Sequence, residues 1–334
     1  MKIGICISNE TPNFKGRFMN FFQNKANQSK KDWSERFSQI LSKKNINYGY
    51  IYIDKDDWIQ QINNYDVLLW KPKFMGVESS QFFKEKVYFI QHIMNKRIYP
   101  NYETVWHFDS KNAQKYLFEY TNIKTPKTYV SFDYNESIDT CDKIDYPTVV
   151  KSSNGAGSTG VKLVKSNKTL KKIINYEFFG KKVMNRVFKT NHDPFGYLYI
   201  QKFMKNNAGD LRINIIGDKY AVGFWRGNRD NDFRASGSGK IDYNKEIPVE
   251  IIEYCTNISK NNKFDSMAYD VLFNQEGDFV IVEISYGYVD TAVYNAKGYY
   301  ILDNEGKISK FVEGHYWPQE LWIEWVHDNI DRDK

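Results

Sequence analysis

The chain has 334 residues, enough for two or three domains of ordinary size with a substantial core. Its 47 basic and 41 acidic residues give a net charge of +6 without a basic tail or patch, which argues against a nucleic-acid-binding protein. We find no signal-peptide pattern or apolar run of membrane length, and the three cysteines lack paired metal-ligand spacing. We therefore expect a cytoplasmic protein with small-molecule partners, no membrane insertion and a surface compatible with a homo-oligomer.

The first hundred residues alternate strand and helix patterns. A helix with Phe83 and Val87 on its apolar face is predicted to begin at Ser79 or Ser80. Strands that alternate with helices predict a parallel sheet, so we expect an α/β domain at the N-terminus. The polar segment 9–31 is either a functional loop or a surface insertion. The apolar strand patterns cover residues 2–8, 48–54 and 65–71.

A second region begins near residue 105. Asp109 is in position to cap a helix that runs to Tyr120. Three later strand patterns are expected to be antiparallel neighbours joined by turns. The last two predicted strands are SMAYDVLFN and DFVIVEIS, and a C-terminal helix is predicted from Pro318. The three antiparallel patterns cover residues 197–204, 211–217 and 219–226.

The segment YPTVVKSSNGAGSTGVKLVK, residues 146–165, predicts two short strands joined by a glycine-rich loop. The loop glycines allow close backbone approach, and Lys151 ends the first strand, so the hairpin can cover anionic oxygens. No Gly-Lys-Ser/Thr follows and no helix opens after the loop, which excludes a Walker A loop. Taken alone, the segment is also compatible with an ordinary flexible hairpin.

The last two predicted strands carry acidic residues inside apolar runs. Asp270 and Glu283 need partners there, and with Ser285 on the same face as Glu283 they can hold Mg²⁺. The alternative is a pair of salt-bridged carboxylates. Without a metal, the two carboxylates are expected to repel each other. Arginines between residues 210 and 240 can neutralise phosphate or bind a carboxylate, although some of them are expected to face solvent.

The order of these motifs resembles the ATP-grasp superfamily from about residue 100 onward. Within it, the chain is most similar to the ligases that include glutathione synthetase and the ribosomal-protein glutamate ligases. The run DFRASGSGK followed by EISYGY also resembles a bacterial branch linked to surface-polysaccharide synthesis. The motifs that carry the resemblance are HFDSKNAQKYLFE, VVKSSNGAGSTGV, IQKFM, GDLRINIIGDK, NDFRASGSG, YDVLF and VEISYG.

The resemblance implies a two-lobed ATP-grasp module after an N-terminal α/β domain, with domains at residues 1–104, 105–194 and 195–334. It implies an ATP-dependent ligase that joins a small carboxylate to an amine through an acyl phosphate, with Mg²⁺ or Mn²⁺. The resemblance to the bacterial branch implies that an amino acid or amine is joined to a sugar-acid or polysaccharide precursor. The alternatives are a small-molecule kinase and a non-catalytic ATP-binding regulator. The implied catalytic residues are Arg234 and Arg226, and the implied metal ligands are Asp270, Glu283 and Ser285. The implied nucleotide-binding residues are Lys111, Lys151, Ser153, Gly155, Gly157, Ser158, Gln201, Lys202, Phe203, Asp210, Arg234 and Ser236.

Two positions depart from the family pattern. Lys202 stands where the hinge usually has Glu, which removes an acidic side chain but leaves the backbone contacts. Ser285 stands where the last metal ligand is usually Asn, and it is followed by Tyr286-Gly287-Tyr288. We expect metal binding to survive with altered geometry.

Overall fold

The computed structural model describes residues 1–8, 33–72, 77–152, 160–180, 196–274 and 276–332. Within these residues the strands form one parallel and two antiparallel sheets, which confirms the predicted α/β class with an α+β C-terminal part. No helix in the described ranges is long and apolar enough to cross a membrane. The segment 9–31 and the glycines of the hairpin loop lie outside the described residues, except Gly160.

The N-terminal sheet is parallel and has the strand order β2-β1-β3-β4. Its two central strands are buried on both faces, as is usual for parallel sheets, whereas the edge strand β2 is mostly exposed or half-buried. The helix predicted from Ser79 or Ser80 begins earlier, at Val77. The elements are β1 (Lys2–Ile7), α1 (Trp33–Lys43), β2 (Asn47–Tyr52), α2 (Trp58–Ile62), β3 (Val67–Leu69), α3 (Val77–Tyr88, continued by the π-helical turn Phe89–Ile93) and β4 (Arg97–Tyr99).

The small antiparallel sheet has the order β5-β8-β6-β7 and a core of its own. Its β8 pairs with β5 and β6, so the expectation that this strand neighbours the next one along the chain is wrong. The elements are α4 (Tyr102–Val105), α5 (Lys111–Tyr120), β5 (Thr128–Ser131), α6 (Tyr134–Thr140), β6 (Thr148–Lys151), β7 (Val161–Val164), α7 (Asn167–Phe179) and β8 (Leu198–Lys202).

The large antiparallel sheet has the order β13-β12-β9-β10-β14-β15, with β11 beside β10. Its residues share a hydrophobic core with the N-terminal sheet. The hairpin β14-β15 follows β12 and β13, which the sequence pattern predicted to be the last strands. The elements are β9 (Gly209–Ile216), β10 (Tyr220–Gly227), β11 (Ile241–Asp242), α8 (Val249–Asn261), β12 (Ser266–Phe273), β13 (Phe279–Ser285), α9 (Asp290–Tyr294), β14 (Gly298–Leu302), β15 (Ile308–Glu313) and α10 (Pro318–Arg332).

The N-cap of helix α5 lies one residue later than predicted. Ser110 is the N-cap, because its hydroxyl accepts the Ala113 N–H at 3.3 Å, whereas Asp109 has a left-handed φ of 54°. The predicted boundary between residues 104 and 105 falls inside α4. The prediction for the C-terminal helix is confirmed, since it begins at Pro318.

Candidate functional site: a cleft between two antiparallel sheets

A cleft lies between the small sheet and the strands β12 and β13 of the large sheet. It encloses about 850 Å³, part of which is open to solvent. The small sheet contributes Val149 and Lys151 to the wall, and the large sheet contributes Asp270 and Glu283. The mixture of apolar and charged walls is typical of a small-molecule site.

The strand β13 carries a β-bulge that directs a carboxylate into the cleft. Asp270 on β12 pairs with Glu283, and the next pairing skips Val282. As a result the consecutive side chains of Val282 and Glu283 both line the cleft, whereas Ile281 and Ile284 are buried in the core. The bulge therefore brings Glu283 beside Asp270 at the cleft wall.

The Asp270 carboxylate is bound by two arginines. Arg212 on β9 donates from Nε to Oδ1 at 2.5 Å and from Nη2 to Oδ2 at 3.0 Å, and Arg226 on β10 donates to Oδ1 at 2.8 Å. Burial by itself raises the pKa of Asp270, but the two guanidinium groups outweigh it and hold the pKa below its usual value. The expected uncompensated repulsion between Asp270 and Glu283 is therefore wrong, because Asp270 already has cationic partners.

Arg226 joins Asp270 to a second carboxylate. It forms a two-point ion pair with Asp210, at 2.7 Å from Nε to Oδ1 and 2.6 Å from Nη2 to Oδ2. Burial opposes the charge of Arg226, but Asp270 and Asp210 outweigh it and keep the guanidinium pKa above its usual value. Two arginines and two aspartates thus form a neutral cluster beside the cleft. The catalytic role of Arg226 and the nucleotide role of Asp210 stay predictions.

The carboxylates are compatible with Mg²⁺ held jointly by protein and phosphate. The three hydrogen bonds to Asp270 leave about one of its four lone-pair sites, whereas Glu283 has no hydrogen bond or ion pair from the part of the chain that the structure describes. Mg²⁺ commonly takes one or two protein carboxylates together with substrate phosphates. Across the described ranges no group of three or more His, Cys, Asp or Glu residues is arranged to hold a metal ion by itself.

Ser285 ends β13, two residues beyond Glu283. Its hydroxyl oxygen accepts the Gly287 N–H at 3.0 Å, which holds it to the turn that follows the strand. One lone pair of the Ser285 hydroxyl is therefore used by the Gly287 N–H. A metal contact at Ser285 stays a prediction.

Two lysines approach the carboxylates from the other side. Lys151 at the end of β6 is desolvated, and Lys111 lies close enough to add to the effect, so that the Lys151 pKa falls to about 8 while Glu283 and Asp270 oppose the fall. Lys111 is the first residue of α5 and is buried. An amide on the same helix joins α5 to β13: Gln114 donates to the Ile284 carbonyl at 2.9 Å and accepts its N–H at 3.2 Å. This bridge places Lys111 beside the carboxylate strand.

The hinge segment leaves the small sheet at the cleft. The Gln201 side chain is buried and donates to the Thr128 hydroxyl at 3.1 Å, and the Lys202 side chain is exposed. Phe203 follows the end of β8, lines the cleft and packs edge-on against Phe233 with ring centroids 5.4 Å apart. The Phe203 ring thus offers an aromatic wall to a flat ligand.

The basic loop after β10 forms the opposite rim. Arg234 and Ser236 both line the cleft, and the Arg234 guanidinium is held by Asp232, with Nε 2.9 Å from Oδ2. Arg229 donates to the Ser236 carbonyl at 2.8 Å, which braces the loop from outside the cleft. Arg234 is thus positioned at the rim with a carboxylate partner already in place.

Four predicted nucleotide ligands, Ser153, Gly155, Gly157 and Ser158, lie outside the described residues, and their roles stay predictions. The structure also adds wall residues that the sequence pattern did not single out, namely Met204, Leu272 and Phe233. Their apolar side chains carry no chemical signal in the sequence. Only the position of Phe233, next to Arg234, could have pointed to it.

Comparisons with known proteins agree with this geometry. A RimK-like ATP-grasp domain matches residues 109–293. The alpha-aminoadipate–LysW ligase LysX of Saccharolobus solfataricus is 24% identical over 185 residues, which cover 55% of this chain and 64% of the relative. The chain therefore matches less than two thirds of that relative's length.

Solved structures have the same fold at low identity. A D-alanine–D-alanine ligase from Bacillus anthracis superposes with a TM-score of 0.55 at 17% identity, covering 85% of this chain and 86% of the other. A RimK domain ATP-grasp protein from Sphaerobacter thermophilus superposes with a TM-score of 0.55 at 12% identity, covering 87% and 93%. Since the domain match spans more than half of the sequence, the chain belongs to the RimK-like ATP-grasp family.

Proposed function

We propose that the protein is an ATP-dependent carboxylate–amine ligase that forms an amide through an acyl phosphate. The observation that carries this proposal is the meeting of Lys151 with Asp270 and Glu283 at the cleft wall, with Lys111 close enough to Lys151 to act on its charge. Phosphoryl transfer depends mainly on positioning and charge neutralisation, which such a set provides. The relatives named as ligases support the same reaction class.

The chain's own residues have distinct tasks in this reaction. Lys111 and Lys151 bind phosphate oxygens, while the backbone near Gln201 and the Phe203 ring hold the adenine. Glu283 and Asp270, with Ser285 in the weaker position, would hold Mg²⁺ or Mn²⁺, which supplies positive charge to the phosphates. The glycine loop, with Ser153, Gly155, Gly157 and Ser158, covers the phosphates. Lys202, Asp210, Arg226 and Ser236 complete the proposed site.

The bond changes follow from this arrangement. A substrate carboxylate oxygen attacks the γ-phosphorus and ADP leaves, giving an acyl phosphate. The amine nitrogen then attacks the acyl carbon, phosphate leaves, and the nitrogen gives up a proton to form the amide. Arg234 at the rim neutralises the transferring phosphoryl group or the substrate carboxylate.

The domain division belongs to the same proposal. The sequence divides the chain into residues 1–104, 105–194 and 195–334, and we move the first boundary out of α4 and the second to the end of β8. The separate hydrophobic core of the small sheet supports the second change, because it includes Leu198 and Ile200 of β8. The core shared between the N-terminal and large sheets joins the first and third parts.

We favour an amino dicarboxylic acid as one of the two substrates, because a curated relative is named for alpha-aminoadipate. The comparisons give no support to a sugar acid or a polysaccharide precursor as substrate. We keep sugar acids among the acids to be assayed. Two other functions are compatible with an ATP-grasp module. One is a small-molecule kinase, which stops after phosphoryl transfer, and the other is a regulator that binds ATP without catalysis.

Phosphate release from ATP and Mg²⁺ tests the proposal across pairs of acids and amines, with product masses measured. Release that requires both an acid and an amine, with an amide product, supports the ligase. A stable phosphorylated product formed without an amine would establish the kinase. If ATP binds but no pair of acid and amine causes phosphate release, the ligase function is refuted and the non-catalytic regulator is favoured.

A further inference from the structure

Lys71 lies between the N-terminal sheet and the large sheet, where it contacts the turn after β13. It follows β3, whose neighbours in the order β2-β1-β3-β4 are all parallel. The chain moves from β1 to one side of the sheet and then returns to its other side with β3, so the switch point lies between these two strands. Ligands of parallel sheets bind outside the carboxyl ends of the strands at such a point. Lys71 is at the carboxyl end of β3.

The Lys71 ammonium has few partners. Its Nζ donates to the Tyr286 carbonyl at 2.7 Å and lies 5.4, 4.3 and 5.8 Å from the ring centroids of Trp33, Tyr286 and Tyr288. In the part of the chain that the structure describes, no carboxylate forms an ion pair with it. An ammonium has three N–H donors, so two remain after the bond to Tyr286.

The carboxylate that acts on the Lys71 charge is Asp290, and it has other partners. Asp290 accepts from Arg36 Nε at 3.0 Å and from Gln319 Nε2 at 2.9 Å on one oxygen, and from the Thr291 N–H at 2.8 Å on the other. Asp290 therefore acts on Lys71 only through space. Burial outweighs this effect and lowers the Lys71 pKa to about 7.

A half-buried ammonium without a counter-ion among the described residues is costly, and an anionic ligand would remove that cost. The position of Lys71 suits a substrate group that is remote from the reacting carboxylate. Tyr286 is three residues beyond Glu283 along β13 and its continuation, or about 10 Å at the usual rise of an extended chain. A group bound to Lys71 therefore lies well beyond the carboxylate that would be phosphorylated near Glu283.

We propose that Lys71 binds a substrate carboxylate that does not react. This inference rests on the proposed ligase function and names part of its substrate: one of the two substrates carries an additional carboxylate. That group belongs either to a dicarboxylic acid or to an amino acid that serves as the amine. Trp33, Tyr286 and Tyr288 surround the ion pair and exclude water from it.

Paired substrates distinguish the two sources. Glutarate is compared with butyrate as the acid, and glycine is compared with ethylamine as the amine, in wild type, Lys71→Met and Lys71→Arg. We expect Lys71→Met to raise KM roughly 10- to 100-fold for the partner that carries the extra carboxylate, with kcat nearly unchanged, and Lys71→Arg to recover part of the loss. Lys96→Met is the control, because Lys96 Nζ also donates to a carbonyl, that of Tyr65, at 3.0 Å. Equal KM values in Lys71→Met and wild type would overturn the proposal.

A labelling experiment tests carboxylate binding at Lys71 without requiring catalytic turnover. Trace acetylation with acetic anhydride, read by peptide mass spectrometry, gives the reactivity of each lysine with and without glutarate, L-2-aminoadipate or L-glutamate. We expect at least one of these probes to protect Lys71 several-fold and to leave Lys96 unaffected. Failure of all three to protect Lys71 would overturn the proposal. Protection without any phosphate release would refute the ligase function and keep the carboxylate site.

Discussion

Replacing Asp270 by Asn tests the charge cluster beside the cleft. The carboxylate accepts three hydrogen bonds at 2.5, 3.0 and 2.8 Å, and its side chain is 12% exposed. Asn keeps one acceptor oxygen but turns an NH₂ group toward an arginine N–H, so Arg212 loses its buried counter-ion. Breaking a buried ion pair costs about 3–5 kcal/mol, and with the slight exposure we expect a loss of about 3 kcal/mol in the free energy of unfolding.

Urea unfolding followed by circular dichroism measures this loss, with Glu283→Gln as the matched control. Glu283 has no partner within the described residues, so its substitution should change stability by less than about 1 kcal/mol while phosphate release is abolished. Asp270→Asn with the stability of wild type would refute the assigned role of the cluster. So would an equal loss of stability in Glu283→Gln.

The pH dependence of the free energy of unfolding is a second test of the ion pairs of Asp270. Its pKa is lowered in the folded protein, so its contribution to stability is complete above the unfolded value of about 3.9 and is lost as the pH falls through the lower folded value. The stability difference between wild type and Asp270→Asn should therefore shrink below about pH 4. A difference that stays constant down to pH 2 would contradict the lowered pKa.

Three further predictions concern the cleft. Lys151 has a pKa of about 8, so ATP affinity in calorimetry should fall above about pH 8 in wild type but not in Lys151→Arg, which stays charged. Gln114→Leu leaves the Ile284 N–H and carbonyl without their partner, which should lower the free energy of unfolding by about 2 kcal/mol and weaken ATP binding. Gly160→Ala should destabilise the hairpin, because a Cβ there lies 1.9 Å from a serine hydroxyl and φ is +75°.

Each of these three has an outcome that contradicts it. A parallel decline of ATP affinity with pH in Lys151→Arg would place the titrating group elsewhere. Unchanged ATP affinity in folded Gln114→Leu would show that α5 does not depend on this bridge. For Gly160→Ala the control is Gly277→Ala, where φ is +89° but no atom lies within 4 Å of the added Cβ, and equal thermal shifts in the two would remove the steric argument.

The sequence by itself determined the parts whose signal is local. Strand periodicity with Val149 and Val150 predicted β6, and acidic residues inside apolar runs singled out Asp270 and Glu283. The collinear motifs from about residue 100 onward were enough to indicate the superfamily. These signals survive without tertiary contacts because they depend on side-chain alternation and on residue type at short spacing.

Only the tertiary structure decided how those parts meet. β8 pairs within the small sheet because its neighbours come from β5 and β6, which no local turn pattern can reveal. The pairing of β12 with β9 sets Arg212 opposite Asp270 and gives that carboxylate its counter-ion. Likewise, a lone lysine after a strand carries no signal, and Lys71 stands out because the fold half-buries it against the Tyr286 carbonyl without a carboxylate partner in the described ranges. Long-range register and burial set these charges, and both depend on residues far apart in the chain.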